Sequence, residues 1–207
     1  MRTTLVILAG LALVAPACFP PGHVLGPFYS APNFREPDTV QVLPVQFEDV
    51  FREDASALKR AFVDSLRKST RLRAVMDDTA PTEEVRGLVR FLARQRDGYH
   101  LPDSSRVRRL SVIFGTRFLL YVKFDRRYSP DPQTHEEMTT VSVRAELWDG
   151  DAGRLVWSGD AWEETTPFDL GRGFSVSRAD VELGFNAIHK LLATFLAAPD
   201  RNGNPRF

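Results

Sequence analysis

The spacing of apolar residues changes period along this chain, and the changes divide it into elements. Val40 to Phe47 is apolar and interrupted once, by Pro44, which predicts a buried strand with a bulge at the proline. Leu58, Ala61, Phe62, Ser65 and Leu66 then fall on one helical face, with Arg60, Arg67 and Lys68 opposite and Asp54 or Ser56 placed to cap. Leu72 to Met76 reads as a short second strand. Val85, Leu88, Val89 and Leu92 form the stripe of a helix starting near Thr82. After a break at Gly98 to Pro102, Asp103 or Ser104 opens a third helix carrying Val107, Leu110, Ile113 and Phe114, and Gly115 stands where helices commonly stop.

From there the period falls to two. Phe118, Leu120, Val122 and Phe124 alternate with Arg117, Leu119, Tyr121 and Lys123. Ser129-Pro130-Asp131-Pro132 reads as a turn. Val141, Val143, Ala145 and Leu147 alternate with Ser142, Arg144, Glu146 and Trp148. Asp149 to Gly153 has hairpin composition, and Leu155 to Glu163 is a further strand. Ser177 and Asp180, at capping-box spacing, introduce a long last helix with Val181, Phe185, Ile188, Leu192 and Phe195 as its stripe. Pro199 stops it, and 199–207 is a polar tail. The order predicts a single α/β domain over 39–198. It has a mixed β-sheet with a C-terminal antiparallel meander, packed by about four helices.

The N-terminus follows neither period. Arg2 is followed by an unbroken apolar and small run from Leu5 to Val14, then Ala15-Pro16-Ala17 and Cys18. A charged start, a short greasy segment and a small-residue site form a signal peptide over 1–17. The run is shorter than the roughly 20 residues a spanning helix needs. Two processing routes compete. Ala15 and Ala17 suit an ordinary signal peptidase, while Ala17 before Cys18 resembles a bacterial lipobox. Cys18 is the chain's one cysteine, so it closes no internal disulfide, and lipidation gives its sulfur a use. The expectation is lipid attachment at Cys18, with membrane anchoring through it. Phe19 follows Cys18, where aspartate would resemble an inner-membrane retention signal, so the lean is to the periplasmic face of the outer membrane. Gly and Pro residues then recur up to Pro37, and 18–38 reads as a flexible tether spanning roughly 25 Å.

Charge narrows the partners. Twenty-seven Lys and Arg balance 27 Asp and Glu, for a formal net charge of zero, which argues against nucleic acid. Within that balance the arginines cluster: Arg86, Arg90, Arg94 and Arg96, then Arg106, Arg108 and Arg109. They read either as a solvated helical face or as a contact surface for anionic lipid or an acidic partner.

Three segments resemble the domain shared by the curli-secretion lipoprotein CsgG and the penicillin-binding-protein activator LpoB, whose broad fold includes the N-terminal domain of TolB. They are Val42-Leu43-Pro44-Val45-Gln46-Phe47-Glu48-Asp49, Gly115-Thr116-Arg117-Phe118-Leu119-Leu120, and the hairpin from Glu146 to Trp157 with its turn at Gly153. The resemblance that they carry covers about 40 to 200. The resemblance implies an envelope lipoprotein that binds protein partners. One departure matters: Ser129 to Glu137 is short and polar, without the long alternating strands by which pore-forming members cross a membrane.

Candidate chemistry is sparse. The four histidines, His23, His100, His135 and His189, make no H-E-x-x-H pair, and His189 lies beside the last apolar stripe, where packing is expected. Asp149, Asp151 and Gly153 faintly resemble a calcium loop but read better as a turn. Gly171-Arg172-Gly173 offers either backbone donors to an anion or a plain connection. Trp148 and Trp162 share the polar register of their strands, and either pack beneath a helix or form an aromatic partner surface with Arg86, Arg90 and Arg94. No metal, cofactor or catalytic residue is assigned. The expected function is a non-enzymatic accessory or assembly factor of the envelope that binds an envelope protein, with a homo-oligomer as a further option. The alternative is a periplasmic small-ligand carrier or enzyme using a cleft beside the sheet.

Overall fold

The computed structural model describes residues 29–31, 37–47, 55–69, 72–76, 81–94, 104–130, 137–165 and 176–196. The strands are β1 (Tyr29–Ser30), β2 (Thr39–Val42), β3 (Gln46–Phe47), β4 (Arg73–Met76), β5 (Phe118–Pro130), β6 (Glu137–Asp149) and β7 (Arg154–Thr165). The helices are α1 (Ala55–Ser69), α2 (Glu83–Arg94), α3 (Ser104–Phe114) and α4 (Val176–Leu196). One mixed sheet runs β1-β7-β6-β5-β2-β4, with β3 also on β5. β2 lies parallel to β4 and β5, β3 is parallel to β5, and β5, β6, β7 and β1 are antiparallel neighbours. The α/β class, the mixed sheet and the C-terminal meander are those the apolar spacing predicts.

The topology explains why helices cover both faces. The path β2–α1–β4 steps outward across the sheet, and β4–α2–α3–β5 steps back over β2. Both are parallel crossovers, which keep one hand, so reversing the direction of travel puts the second set of helices on the opposite face. The core is accordingly double. Val40, Val42, Leu120, Val122, Phe124, Val143, Leu147 and Trp157 pack with Leu58, Phe62 and Leu66 of α1 and Ile188, Leu191 and Phe195 of α4. Leu119, Tyr121 and Trp148 pack through the other face with Val85, Val89 and Leu92 of α2 and Val107 and Leu110 of α3. Trp157 meets Phe195 edge to face, with ring centroids 4.7 Å apart.

Helix ends follow the local chemistry. The Thr82 hydroxyl accepts the Val85 N–H at 3.3 Å, and Glu83 and Glu84 occupy the first turn of α2, where the helix dipole favours carboxylates. α3 ends in a Schellman arrangement. Gly115 has φ +62°, its N–H donates to Val112 O, and the Thr116 N–H donates to Ser111 O. The bulge expected at Pro44 is present. Val42 opposes Leu120 and Gln46 opposes Lys123, so three residues on one strand face two on the other.

Several expectations are corrected. Tyr29 and Ser30, inside the stretch read as tether, pair with Ser158 and Trp157 on the edge of β7, an edge whose unpaired backbone groups accept even a two-residue strand. Ser129 and Pro130 continue the β5–β6 ladder to the pair Pro130–Glu137; no donor is lost when a proline sits at a ladder's end. α4 begins at Val176, so Ser177 lies inside the helix and does not cap it. Its buried line is Leu183, Ala187, Ile188, Leu191, Leu192 and Phe195, while Phe185 is 37% exposed and Val181 only partly buried. The reason is Gly184. A Cβ there would lie 2.5 Å from Leu58 Cδ2, so α1 and α4 approach through a small residue and the large apolar ones flank the seam. Ile113 is likewise exposed, as is His189. The signal segment, Cys18, His23, His100, His135, Gly171-Arg172-Gly173 and the C-terminal tail lie outside the described residues.

Leu120 is 2% exposed at the centre of the larger core. Leu120→Asp is expected to unfold the domain, because an unpaired buried carboxylate costs several kcal/mol (order of magnitude) against a total stability of about 5–15. Loss of the cooperative transition in circular dichroism checks this. Gly184→Leu should destabilise more than Gly87→Leu, since a Cβ at Gly87 meets nothing within 4 Å.

Candidate functional site

Of the arginines singled out in the sequence, Arg86, Arg90, Arg106, Arg108 and Arg109 lie on the outer surface of the α2–α3 pair, and Arg96 lies outside the described residues. α3 presents Ser105, Arg108, Arg109 and Val112 outward at helical spacing, while Val107, Leu110 and Ser111 turn inward. α2 turns Val85, Val89 and Leu92 inward, which leaves Glu83, Arg86 and Arg90 exposed. Ion pairs stitch this surface: Arg86 to Glu83 at 3.1 Å, Arg90 to Glu83 at 3.9 Å, and Arg109 to Glu84 at 2.6 Å across the two helices. The Arg106 guanidinium lies over the Phe91 ring. Between the helices runs an open groove of about 470 Å³ lined by Glu83, Glu84, Gly87, Leu88, Ser105, Arg106 and Arg109. The side chain of Arg94 lies outside the described residues.

The tryptophans do not join this surface. Trp148 is 4% exposed and lies beneath α2 and α3 among Leu119, Val89 and Leu110. It is core, the reading its register allowed, and not part of an exposed patch. Its buried Nε1 has no hydrogen-bond partner among the described residues, so packing alone holds the ring. Trp162 sits on β7 opposite Ser142, half-buried and separated from Trp148 by several rungs of the ladder.

Between them runs a feature that sequence reasoning missed. Where α2 and α3 no longer cover the sheet, cross-strand rows of charge replace the apolar residues. Lys123, Arg144 and Asp160 share one row, and Asp125, Ser142 and Trp162 the next. Arg144 donates to Asp160 at 2.6 Å, and Lys123 pairs with Asp125. Burial pushes the Arg144 guanidinium down, but the hydrogen bond and charge of Asp160 outweigh it and hold its pKa above the ordinary value. The alternation of polar residues on β5 and β6 was legible in the sequence; their pairing needed the register.

The Asp149–Gly153 segment is a turn. Arg117 Nε and Nη2 donate to the two Asp149 carboxylate oxygens at 3.1 and 2.8 Å, and the N–H groups of Asp151 and Ala152 donate to Oδ1 at 3.1 and 3.2 Å. With both oxygens engaged, Asp149 has little left to offer a calcium ion. Gly153 has φ +65°, and a Cβ there would come within 2.8 Å of Ser104 Cβ. The turn thus closes against the start of α3, where Arg108 donates to Ala152 O. Among the described residues no group of three or more His, Cys, Asp or Glu converges as a metal site would require.

No family model and no curated protein matches the chain. Solved structures do resemble it. The PelC dodecamer from Paraburkholderia phytofirmans is 14% identical, covering 83% of this chain and 98% of that one at a TM-score of 0.48. A lipoprotein from Neisseria meningitidis is 21% identical over 76% of this chain and 99% of its own, at 0.41. The LpoB C-terminal domain from Escherichia coli is 15% identical over 61% and 82%, at 0.35. LpoB, to which the sequence motifs were compared, is therefore among the similar structures. At these identities the likeness is confined to the chain path.

The Arg117 hydrogen bonds lower the Asp149 pKa below its ordinary value, outweighing the effect of burial. A depressed carboxylate stabilises the fold above its unfolded pKa and loses that contribution as pH falls through the folded value. Asp149→Asn should cost about 1–3 kcal/mol at neutral pH. The gap between variant and wild type should stay constant above about pH 5 and shrink as the pH falls below about 4. Urea unfolding across that range reads it; a gap unchanged at pH 2.5 (roughly, well below the carboxylate range) contradicts the pairing.

Proposed function

We propose that the chain is an exported envelope protein, lipid-anchored through Cys18 at the periplasmic face of the outer membrane, that acts as a non-enzymatic, protein-binding accessory or assembly factor. The observation that carries this reading is the N-terminal order: Arg2, the apolar run Leu5 to Val14, Ala15-Pro16-Ala17, and the chain's one cysteine directly after it. The structure supports it in one respect. The chain is already clipped to the sheet at Tyr29–Ser30, eleven residues after Cys18, so an anchor at Cys18 would hold the domain close to its membrane. Among the described residues no helix is long and apolar enough to cross a membrane. The groove between α2 and α3 is open to solvent along its length, a shape suited to a macromolecular surface.

Acyl chains contribute about 0.8 kcal/mol per buried methylene, and several chains make attachment effectively permanent. Cys18→Ala should therefore move the protein from the membrane fraction to the soluble periplasmic fraction without blocking export, because Ala15 and Ala17 still suit the ordinary peptidase. Mass spectrometry of the wild type should show a lipid-bearing N-terminus at Cys18. A free thiol there would mean plain secretion, and a membrane protein retaining Arg2 would mean an uncleaved anchor. Crosslinking in intact cells should join the wild-type protein to a defined envelope protein; recovery of the protein alone would remove the accessory role.

A further inference from the structure

Charge is divided unevenly between this chain's elements. α2 and α3 together carry six arginines and two glutamates, a formal surplus of four positive charges. The whole chain is neutral, so everything outside these two helices carries the matching negative surplus. The positive charges also share a surface: Arg86, Arg90, Arg108 and Arg109 are exposed, and the last of these bonds to Glu84 across the groove that both helices line. The glutamates offset part of the charge without reversing it.

Beside the arginines stands an apolar side chain with no packing role. Val112 lies on the same outward stripe of α3 as Ser105, Arg108 and Arg109, and it is 80% exposed; Ile113 beside it is 42% exposed. Basic side chains around a small apolar projection suit an interface of anionic headgroups over acyl chains, where arginine meets phosphate and the aliphatic group enters the boundary.

Geometry allows this surface to meet the membrane that anchors the chain. Cys18 precedes Tyr29 by eleven residues, a reach of at most about 36–40 Å. Tyr29 pairs with Ser158, and Arg154, where β7 begins, lies about 13 Å back along that strand. The turn before it abuts Ser104 at the start of α3. The arginine surface therefore begins well within the tether's reach.

We infer that the outer surface of α2 and α3, through Arg86, Arg90, Arg108 and Arg109 with Val112 at its edge, is a docking surface for an anionic phospholipid membrane, which fixes the orientation of the anchored domain. The inference rests on the envelope-lipoprotein reading for its setting. Its test removes the anchor, so that the two fail separately.

The test uses the exported, signal-cleaved chain carrying Cys18→Ala, in cosedimentation with phosphatidylcholine vesicles made with or without phosphatidylglycerol. Binding should require phosphatidylglycerol and weaken steeply with added salt. Each arginine near an anionic surface contributes roughly a fivefold gain, so Arg86→Gln with Arg90→Gln should weaken binding about 30-fold. Val112→Ser should weaken it further without lowering the melting temperature. Arg60→Gln with Lys68→Gln, on α1 across the sheet, is the control and should leave binding nearly unchanged, since those charges stand away from the docked face and are screened by salt. Equal losses from both pairs would reduce the effect to general charge and overturn the docking surface. Absence of binding to phosphatidylglycerol vesicles would also overturn it and leave the arginines to an acidic protein partner. Neither outcome bears on lipidation, which the mass of the wild-type N-terminus reports.

Discussion

Everything in this domain depends on β5 being buried from both sides. Leu120, Val122 and Phe124 face α1 and α4, while Leu119 and Tyr121 face α2 and α3, and all five are almost fully removed from water. Each such side chain contributes about 1.5–3 kcal/mol when buried, and these five are shared between two cores that no other strand joins over the same length. β5 also takes β2 and β3 in parallel on one edge and β6 antiparallel on the other. The parallel half of the sheet and the meander are therefore one body because this strand belongs to both.

Much of this was legible in the sequence because the periods are physical. A helix that covers one face of a sheet needs apolar residues every three or four positions, and Leu58, Phe62 and Leu66 are such a set, as are Val85, Val89 and Leu92. The alternation on β5 and β6 gave their inward face directly. Legibility failed where the decisive residue was small or the decisive contact distant. Gly184 and Ala187, with little hydrophobic weight, define the seam of α4, and weighing residues by size moved the stripe onto Phe185. Tyr29 and Ser30 carry no strand pattern at all. Their pairing follows from an available edge on β7, which lies more than 120 residues away in sequence.

The surface was legible in part. The arginines were visible as a cluster, and their exposure follows once the opposite faces of α2 and α3 are apolar. The tryptophans were ambiguous because a polar register tells only which side of the sheet a residue takes. That side is itself divided: helices cover Trp148, whereas Trp162 lies beyond their ends among paired charges. Where a helix stops across a sheet is a tertiary fact that alternation along a strand does not encode.

The β1 clip has a mechanical meaning. Were Cys18 the anchor proposed above, tension along the chain would reach the described fold first at Tyr29 and Ser30, a join of only two residue pairs at the sheet's edge. Two paired residues resist far less than the thirteen-residue ladder between β5 and β6. Under such a load the clip would give way before the core. Its release would lengthen the stretch of chain between Cys18 and the sheet from eleven residues to the twenty-one that separate Cys18 from Thr39, extending its maximum reach to roughly 70 Å. A domain anchored in that way would have two working distances from its membrane, a short one at rest and a long one under strain, and would pass between them without unfolding.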